Sequence, residues 1–186
     1  LRGRVKRMDG LINGILQYSR LGRAKEKQDK IALHKTLPSI IETLAPPENL
    51  RITIEDELPE IVGNKTHMEQ VFQNLIGNAI KFMDKPEGLI SIGCRDEGSH
   101  WEFRITDNGP GIHERYHGRI FKIFQTLAPR DEHESTGIGL TLVKKTIEQY
   151  DGKVWVESEV GKGSTFLFTL PKKGEKNEKF KTDPAN

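Results

Sequence analysis

The chain has 186 residues, of which 34% are hydrophobic and 30% charged, so it can form a core and is not a disordered chain. A net charge of only +2 argues against nucleic acid as a partner, and the absence of a run of 18 apolar residues argues against membrane contact by this segment. One cysteine, Cys94, excludes an internal disulfide and a cysteine-based zinc site and favours the cytoplasm. Leu1 is not an initiator methionine, so we expect a longer protein, whose upstream part can carry a membrane anchor.

An amphipathic helix is predicted over residues 1–22. Its apolar residues recur at spacings of three and four, and a subset of them fits the seam of a coiled coil or helical bundle: Val5, Met8, Ile12 and Ile15. Gly10 and Gly14 each weaken such a helix by roughly 1 kcal/mol relative to alanine, so the helix needs a packing partner. We therefore expect it to associate with a second copy, as a homodimer, or with an upstream segment.

The rest of the chain divides into a polar linker at 23–32, one domain at 33–171 and a polar tail at 172–186, which we expect to be disordered. Apolar periodicity predicts three helices in the domain, at 33–44, 64–83 and 138–150. Alternating or apolar runs predict its strands, at 51–57, 89–95, 101–106, 153–158 and 165–170. Since helices and strands do not alternate strictly, the predicted fold class is α/β of the α+β kind. We expect a two-layer sandwich, with helices covering one face of a mixed β-sheet, preceded by one bundle helix.

Polar side chains recur on one face of the predicted helix at 64–83. Asn74, Asn78 and Lys81 lie at i, i+4 and i+7, beside the apolar residues that would face the core. Asparagine is a poor helix former, so two of them in register with a lysine are costly if they serve solubility alone. An amide oxygen can complete the coordination of a magnesium ion that phosphates already hold, and a lysine can meet phosphate charge. By itself the pattern leaves open an ordinary amphipathic helix with a polar side.

Three further segments combine glycines or aromatic residues with the ends of predicted elements. Residues 107–112 (DNGPGI) follow a strand, where a carboxylate can accept from an exocyclic amine and glycines admit a flat ring. Residues 120–124 (IFKIF) form an apolar cluster within a loop that is long enough for a lid. Residues 136–140 (TGIGL) open the last helix, whose free N–H groups and dipole favour a phosphate. Each segment alone is also compatible with a turn or a satellite cluster.

In order and spacing, these four segments resemble the N box, first glycine box, phenylalanine box and second glycine box of sensor histidine kinases. Those kinases belong to the GHKL superfamily, which has the Bergerat ATP-binding fold. The resemblance covers residues 33–171 and includes 152–166 (GKVWVESEVGKGSTF), which is similar to the closing hairpin of the family. Residues 1–22 resemble the second helix of the dimerisation and phosphotransfer bundle of these kinases.

The resemblance implies a protein histidine kinase that uses ATP and Mg²⁺. Its catalytic residues would be Asn74, Asn78 and Lys81, with Asn78 as the metal ligand. The residues that would bind the nucleotide are Asn78, Lys81, Phe82, Asp107, Gly109, Gly111, Ile112, Phe121, Phe124, Thr136, Gly137, Gly139, Leu140 and Thr165. Asp107 would accept from the adenine amino group, and the two phenylalanines at 121 and 124 would anchor a mobile lid. The glycines at 137 and 139 would admit the phosphate tail. The partner would be the receiver domain of a response regulator, whose aspartate takes the phosphoryl group from a histidine.

Two departures from the family pattern bear on function. The second glycine box begins with Ser135 where glycine is frequent, and a positive φ there would make serine costly for nucleotide affinity. The family's acceptor histidine precedes an acidic residue and stands five positions before a proline, but the near match His34…Pro38 has Lys35 in the acidic place. We interpret His34 as structural or exposed. The chain is therefore expected to bind ATP without labelling itself well.

Two alternatives remain open. A GHKL ATPase of the mismatch-repair, gyrase or chaperone type would carry a glutamate four residues before the magnesium asparagine. That position is Asn74, whose amide cannot take a proton from water, so hydrolysis is disfavoured. The other alternative is a degenerate, non-catalytic kinase that dimerises and docks partners, and Ser135 favours it.

Overall fold

The computed structural model describes residues 2–20, 27–55, 57–126 and 136–172. Within these residues, no helix is both long and apolar enough to cross a membrane. The elements in chain order are α1 (Arg2–Arg20), β1 (Asp29–Ala32), α2 (Leu33–Leu44), β2 (Leu50–Ile54), β3 (Glu60–Gly63), α3 (Lys65–Lys81), β4 (Gly88–Asp96), β5 (His100–Asp107), α4 (Gly139–Gln149), β6 (Val154–Glu159) and β7 (Gly163–Pro171). A turn of 3₁₀ helix at Glu114–Tyr116 lies between β5 and α4.

Five strands form one mixed sheet in the order β2-β4-β5-β7-β6. The strand β2 runs parallel to β4, and the other neighbours are antiparallel. The predicted hairpins β4–β5 and β6–β7 are both present, as is the predicted two-layer arrangement of a mixed sheet and helices. The strands β1 and β3 form a separate antiparallel pair.

Three phenylalanines mark the centre of the core between the sheet and the helices. Phe72 of α3 makes edge contacts with Phe103 of β5 and Phe168 of β7, at centroid distances of 5.8 and 5.5 Å. The two strand phenylalanines stack at 4.9 Å, and all three side chains are fully buried. Since α3 packs on the middle of the sheet through this face, its position relative to β5 and β7 is fixed.

Two hydrogen bonds made by Asn64 hold the start of α3 in place. Asn64 is the N-cap, and its side-chain oxygen accepts from the backbone N of His67 at 3.1 Å. The backbone N of Asn64 in turn donates to the hydroxyl of Tyr150, which follows α4, at 2.9 Å. These two hydrogen bonds fix where α3 begins, and therefore which of its residues share a face.

The structure differs from the sequence analysis at two short strands. Asp29–Ala32, at the end of the predicted linker, forms β1, and Glu60–Gly63 forms β3. Ile31 and Ile61 are register partners and both are buried, but four residues are too few for a recognisable alternation. The rest of the predicted linker at 23–26 and of the predicted tail at 173–186 lies outside the described residues.

The helix α1 packs against α4 on one side and exposes an apolar surface on the other. Leu11 and Tyr18 lie against Ile138 and Leu142, and the Lys145 amino group donates to the Tyr18 carbonyl at 2.5 Å. Its exposed apolar residues are Met8, Ile12, Ile15 and Leu16, with 61%, 55%, 44% and 47% of their surface accessible. The predicted seam residues described by the structure therefore face away from the domain.

Candidate functional site

One face of α3 connects two groups of predicted site residues. Asn74, Asn78 and Phe82 are four residues apart, so the face they share extends about 12 Å along the helix axis. All three side chains are half-buried. Asn74 lies against Gly139 at the start of α4, and the carbonyl of Phe82 lies near Gly109 after β5. The predicted segments that are far apart in sequence are thus neighbours along this helix.

Asn74 and the start of α4 fit closely together. The Nδ2 of Asn74 donates to the carbonyl of Gln70 at 2.8 Å, and its Oδ1 points towards Gly139. A Cβ atom added at Gly139 would lie 2.5 Å from that oxygen, so this contact requires glycine. The N-cap of α4 is Ile138, whose apolar side chain cannot cap the N–H groups of the first turn. Those N–H groups are suited to an anion from outside the helix.

Gly137 is required by a second close contact. It has φ of +68°, and a Cβ atom there would lie 2.8 Å from the carbonyl oxygen of Gln125. Its own carbonyl accepts from the backbone N of Phe124 at 2.9 Å. Gly137 and Gly139, which the family resemblance would place at the phosphate tail, are therefore also required by contacts within the protein.

Asn78 is the predicted magnesium ligand, and the side chains around it restrict which metal ion the site could bind. Among the described residues, no group of three or more histidine, cysteine, aspartate or glutamate side chains converges as a metal site. An amide oxygen with few protein partners fits Mg²⁺, which keeps water and phosphate oxygens as most of its ligands. Lys81 follows on the same helix, with its amino group 5.5 Å from the centroid of the Phe82 ring.

Asp107 stands at the carboxyl end of β5 and is only 9% exposed. Its Oδ1 accepts from the backbone N of Gly109 at 2.9 Å. Burial raises the pKa of this carboxyl above the usual aspartate value, and nearby Asp84 acts in the same direction. Hydrogen bonds from the backbone N–H groups of Gly109 and Ser164 oppose that rise in pKa. The site thus contains a desolvated acceptor held in place by the backbone.

Ser164, and not the predicted Thr165, lies beside Asp107. In the register of β5 and β7, Ser164 is the cross-strand partner of Asp107, while Thr165 pairs with Thr106. Successive residues of a strand point to opposite faces, so Thr165 projects from the outer face, where its hydroxyl lies 3.1 Å from that of Thr106. The alternation of the buried residues Phe166 and Phe168 could have identified Ser164 from sequence.

The two predicted lid phenylalanines have different environments. Phe121 is buried and packs edge-on against Phe166 at 6.4 Å, and its carbonyl accepts from the Thr141 hydroxyl at 3.1 Å. Phe124 is 53% exposed and has φ of +63°, which is uncommon for a bulky residue. Phe121 therefore anchors the segment through its side chain, whereas Phe124 does so through its backbone.

The remaining predicted residues are placed as follows. Ile112 and Leu140 pack against the core, and Gly111 has φ of +71°. Thr136 is half-buried next to Gly10 of α1, and Ser135 lies outside the described residues. His34 is exposed in the first turn of α2, which is one of the two placements predicted for it.

Residues 63–174 match the family described as histidine kinase-, DNA gyrase B- and HSP90-like ATPase. The chain is 40% identical to cyanobacterial phytochrome A of Nostoc sp. (strain PCC 7120) over 179 residues, or 94% of this chain and 23% of the relative. It is 32% identical to the adaptive-response sensory kinase SasA of Synechococcus sp. (strain JA-2-3B'a(2-13)), over 91% of this chain and 47% of the relative.

Two solved structures share the fold. Full-length ShkA in complex with AMPPNP superposes with a TM-score of 0.73 at 26% identity, over 87% of this chain and 35% of ShkA. The nucleotide-free catalytic domain of the histidine kinase ThkA superposes with a TM-score of 0.65 at 25% identity, over 79% of this chain and 97% of that domain. The chain spans about a quarter of the phytochrome relative and about half of SasA. It belongs to the histidine kinase-, DNA gyrase B- and HSP90-like ATPase family, and corresponds to the ATP-binding catalytic domain of a sensor histidine kinase.

Proposed function

We propose that this chain transfers the γ-phosphoryl group of ATP, bound with Mg²⁺, to a histidine on a bundle helix. An aspartate of a response-regulator receiver domain then takes the phosphoryl group, and the protein works in the cytoplasm. The observation that carries the proposal is the polar face of α3. It leads from the uncapped start of α4 at one end to the buried carboxyl of Asp107 at the other.

Each end of this face suits a different part of the nucleotide. Asp107 is an acceptor for the adenine amino group, and Gly109 leaves room for the ring. The first-turn N–H groups of α4 attract the phosphates at the other end. Lys81 lies beside Phe82, towards the base end of the face, and its long side chain carries the ammonium that we propose meets phosphate charge. Asn78 supplies an oxygen to Mg²⁺, which neutralises phosphate charge when bound. Phosphoryl transfer depends mainly on positioning and charge neutralisation, and these residues serve both.

Hydrolysis of ATP by this site is disfavoured. Asn74 occupies the position from which a carboxylate would activate water, and its amide is already engaged with Gln70 and packed against Gly139. An amide has no basic site for the proton of water. The phosphoryl group is therefore directed to a protein acceptor, and not to water.

The proposed quaternary arrangement is a homodimer through bundle helices. The exposed side of α1, with Met8, Ile12 and Ile15, supports it because three large apolar residues at spacings of four and three form a seam. In such a dimer the opposite side of α1 remains free to hold α4, as it does in the structure.

The nucleotide site is tested by titrating the chain with a non-hydrolysable ATP analogue in a calorimeter, with and without Mg²⁺. We expect binding that Mg²⁺ strengthens, and we expect Asn78→Ala to remove the Mg²⁺ effect while the melting temperature stays unchanged. Gln73→Ala, at an exposed position of the same helix, is the matched control. An Asn78→Ala variant with the full Mg²⁺ effect would refute the metal assignment.

The transfer step is tested with a separately supplied bundle that carries an acceptor histidine. Labelled ATP should yield a phosphoryl group on that bundle which is labile to acid and stable to base, as expected of phosphohistidine. Release of free phosphate without a labelled bundle would instead support the ATPase alternative.

A further inference from the structure

The segment at 107–112 and the β6–β7 hairpin meet at the base end of the site. The backbone N of Gly161, in the hairpin turn, donates to a carbonyl of this segment at 2.7 Å. Gly111 has φ of +71°, and a side chain there would collide with the backbone carbonyl at the end of β6. Because Asp107 begins the segment, the hairpin influences the backbone that carries the carboxylate.

Ser158, near the end of β6, joins these two parts through its hydroxyl. Its Oγ lies 2.7 Å from the backbone N of Ile112, 2.7 Å from the carbonyl oxygen of Gly163 and 3.0 Å from the Oγ of Ser164. A serine hydroxyl donates one hydrogen bond and accepts two. It therefore accepts from Ile112, donates to the Gly163 carbonyl and accepts from the Ser164 hydroxyl. All the capacity of this half-buried hydroxyl is used.

Ser164 carries the connection on to Asp107. The two residues are cross-strand partners, and the backbone N–H of Ser164 hydrogen-bonds to the Asp107 carboxylate. The carbonyl of Asp107 also approaches Gly163, which has φ of +103°, so closely that no side chain fits there. The hydroxyl of Ser158 thus holds both the strand that flanks Asp107 and the segment that follows it.

We propose that Ser158 is a positioning residue for adenine recognition, which sets the place of the Asp107 carboxylate through Ile112, Gly163 and Ser164. The inference rests on the proposed function, in which Asp107 accepts from the adenine amino group. Without the hydroxyl, the Ile112 N–H and the Gly163 carbonyl lose this partner, and the segment at 107–112 keeps only the backbone hydrogen bond from Gly161 and the close glycine contacts to the hairpin. The phosphate end depends on α3 and α4, which contribute no group to this junction. Removal of the hydroxyl should therefore weaken recognition of the adenine base and leave binding of the phosphates unchanged.

The test measures affinities of the 186-residue chain for three probes: a non-hydrolysable ATP analogue, the matching GTP analogue and inorganic triphosphate. Ser158→Ala is expected to weaken binding of the ATP analogue about five- to tenfold, which corresponds to the free energy of roughly one hydrogen bond. Affinities for the GTP analogue and triphosphate are expected to stay unchanged. Ser158→Thr keeps the hydroxyl, and a strand accepts a β-branched residue, so this variant is expected to restore the affinity for the ATP analogue.

Two further variants separate the possible failures. Ser91→Ala, at a half-buried serine of β4 outside the junction, is the matched control and is expected to bind as the unaltered chain does. Asp107→Ala is expected to remove the preference for ATP over GTP. If it does and Ser158→Ala leaves the preference intact, the positioning role is wrong and the adenine assignment stands. If neither lowers the preference, both assignments fall. Equal weakening of all three probes by Ser158→Ala, or no restoration by Ser158→Thr, also overturns the positioning role.

Discussion

Gly14 of α1 provides a sharp test of how this helix and the start of α4 depend on each other. A Cβ atom at Gly14 would lie 2.8 Å from Cδ1, 3.0 Å from Cγ2 and 3.3 Å from Cβ of Ile138. Ile138 is 1% exposed and stands between Gly137 and Gly139. An alanine at position 14 therefore forces either Ile138 or the whole of α1 to move.

Two effects of Gly14→Ala oppose each other. Alanine stabilises a helix by about 1 kcal/mol relative to glycine, but this gain is the same whether or not α1 is docked on α4. Overpacking a buried contact costs about 1–3 kcal/mol, and this cost arises only in the docked state. The docking equilibrium should therefore fall by roughly 5- to 150-fold, while α1 itself stays helical.

Amide hydrogen exchange measures the docking equilibrium of α1 on α4 directly. In Gly14→Ala, faster exchange is expected in peptides that cover α1 and the first turn of α4, with a several-fold weaker affinity for the ATP analogue. Gly10→Ala is the matched control, because its Cβ would meet one atom, Cγ2 of Thr136, at 3.1 Å. It should gain helix stability and stay docked. Equal exchange in the two variants would show that the contact of Gly14 with Ile138 does not limit the docking of α1.

Two other predictions concern the two ends of the site. Burial raises the pKa of Asp107, so the unfolded chain releases this proton first, and stability is lost as pH rises from about 3.9 through the folded pKa. Asp107→Asn keeps an acceptor for Gly109 and removes that loss of stability. Its melting temperature relative to the unaltered chain should therefore rise between pH 3 and pH 7. A difference in melting temperature that stays constant with pH would contradict the raised pKa of Asp107. Gly139→Ala should displace the Asn74 amide, with a stability change within about 1 kcal/mol because helix propensity offsets a lost hydrogen bond. Calorimetry should show weaker analogue binding, and an unchanged affinity would exclude a role for this contact.

The parts of the site that the sequence predicted are those that local chemistry determines. Asn74, Asn78 and Lys81 share a face because helix periodicity fixes their spacing once α3 forms. Asp107 ends β5 because the glycines and proline after it stop the strand. In both cases a few residues that are neighbours in sequence determine the local structure, and the fold leaves that local structure unchanged.

The parts that were missed depend on contacts between distant segments. The junction at Ser158 exists only because the β6–β7 hairpin folds over residues 107–112, and no local pattern records that approach. The placement of Ser164 is different, since strand alternation is present in the sequence and puts Ser164 on the same face of β7 as Phe166 and Phe168.

The glycines of α1 show why a correct local argument can still miss a contact. Gly10 and Gly14 do weaken the helix, but they also let α1 approach Thr136 and Ile138 closely. The segment from Thr136 to Gly139 is thus held by α1, by Asn74 of α3 and by the backbone of Phe124. If nucleotide binding changes the docking equilibrium of α1 by some factor, docking of α1 changes nucleotide affinity by the same factor, because coupling between two sites is reciprocal. In the proposed kinase, α1 belongs to the bundle that receives the phosphoryl group. Nucleotide binding and the position of the bundle relative to the domain then depend on the same side-chain contacts around Ile138.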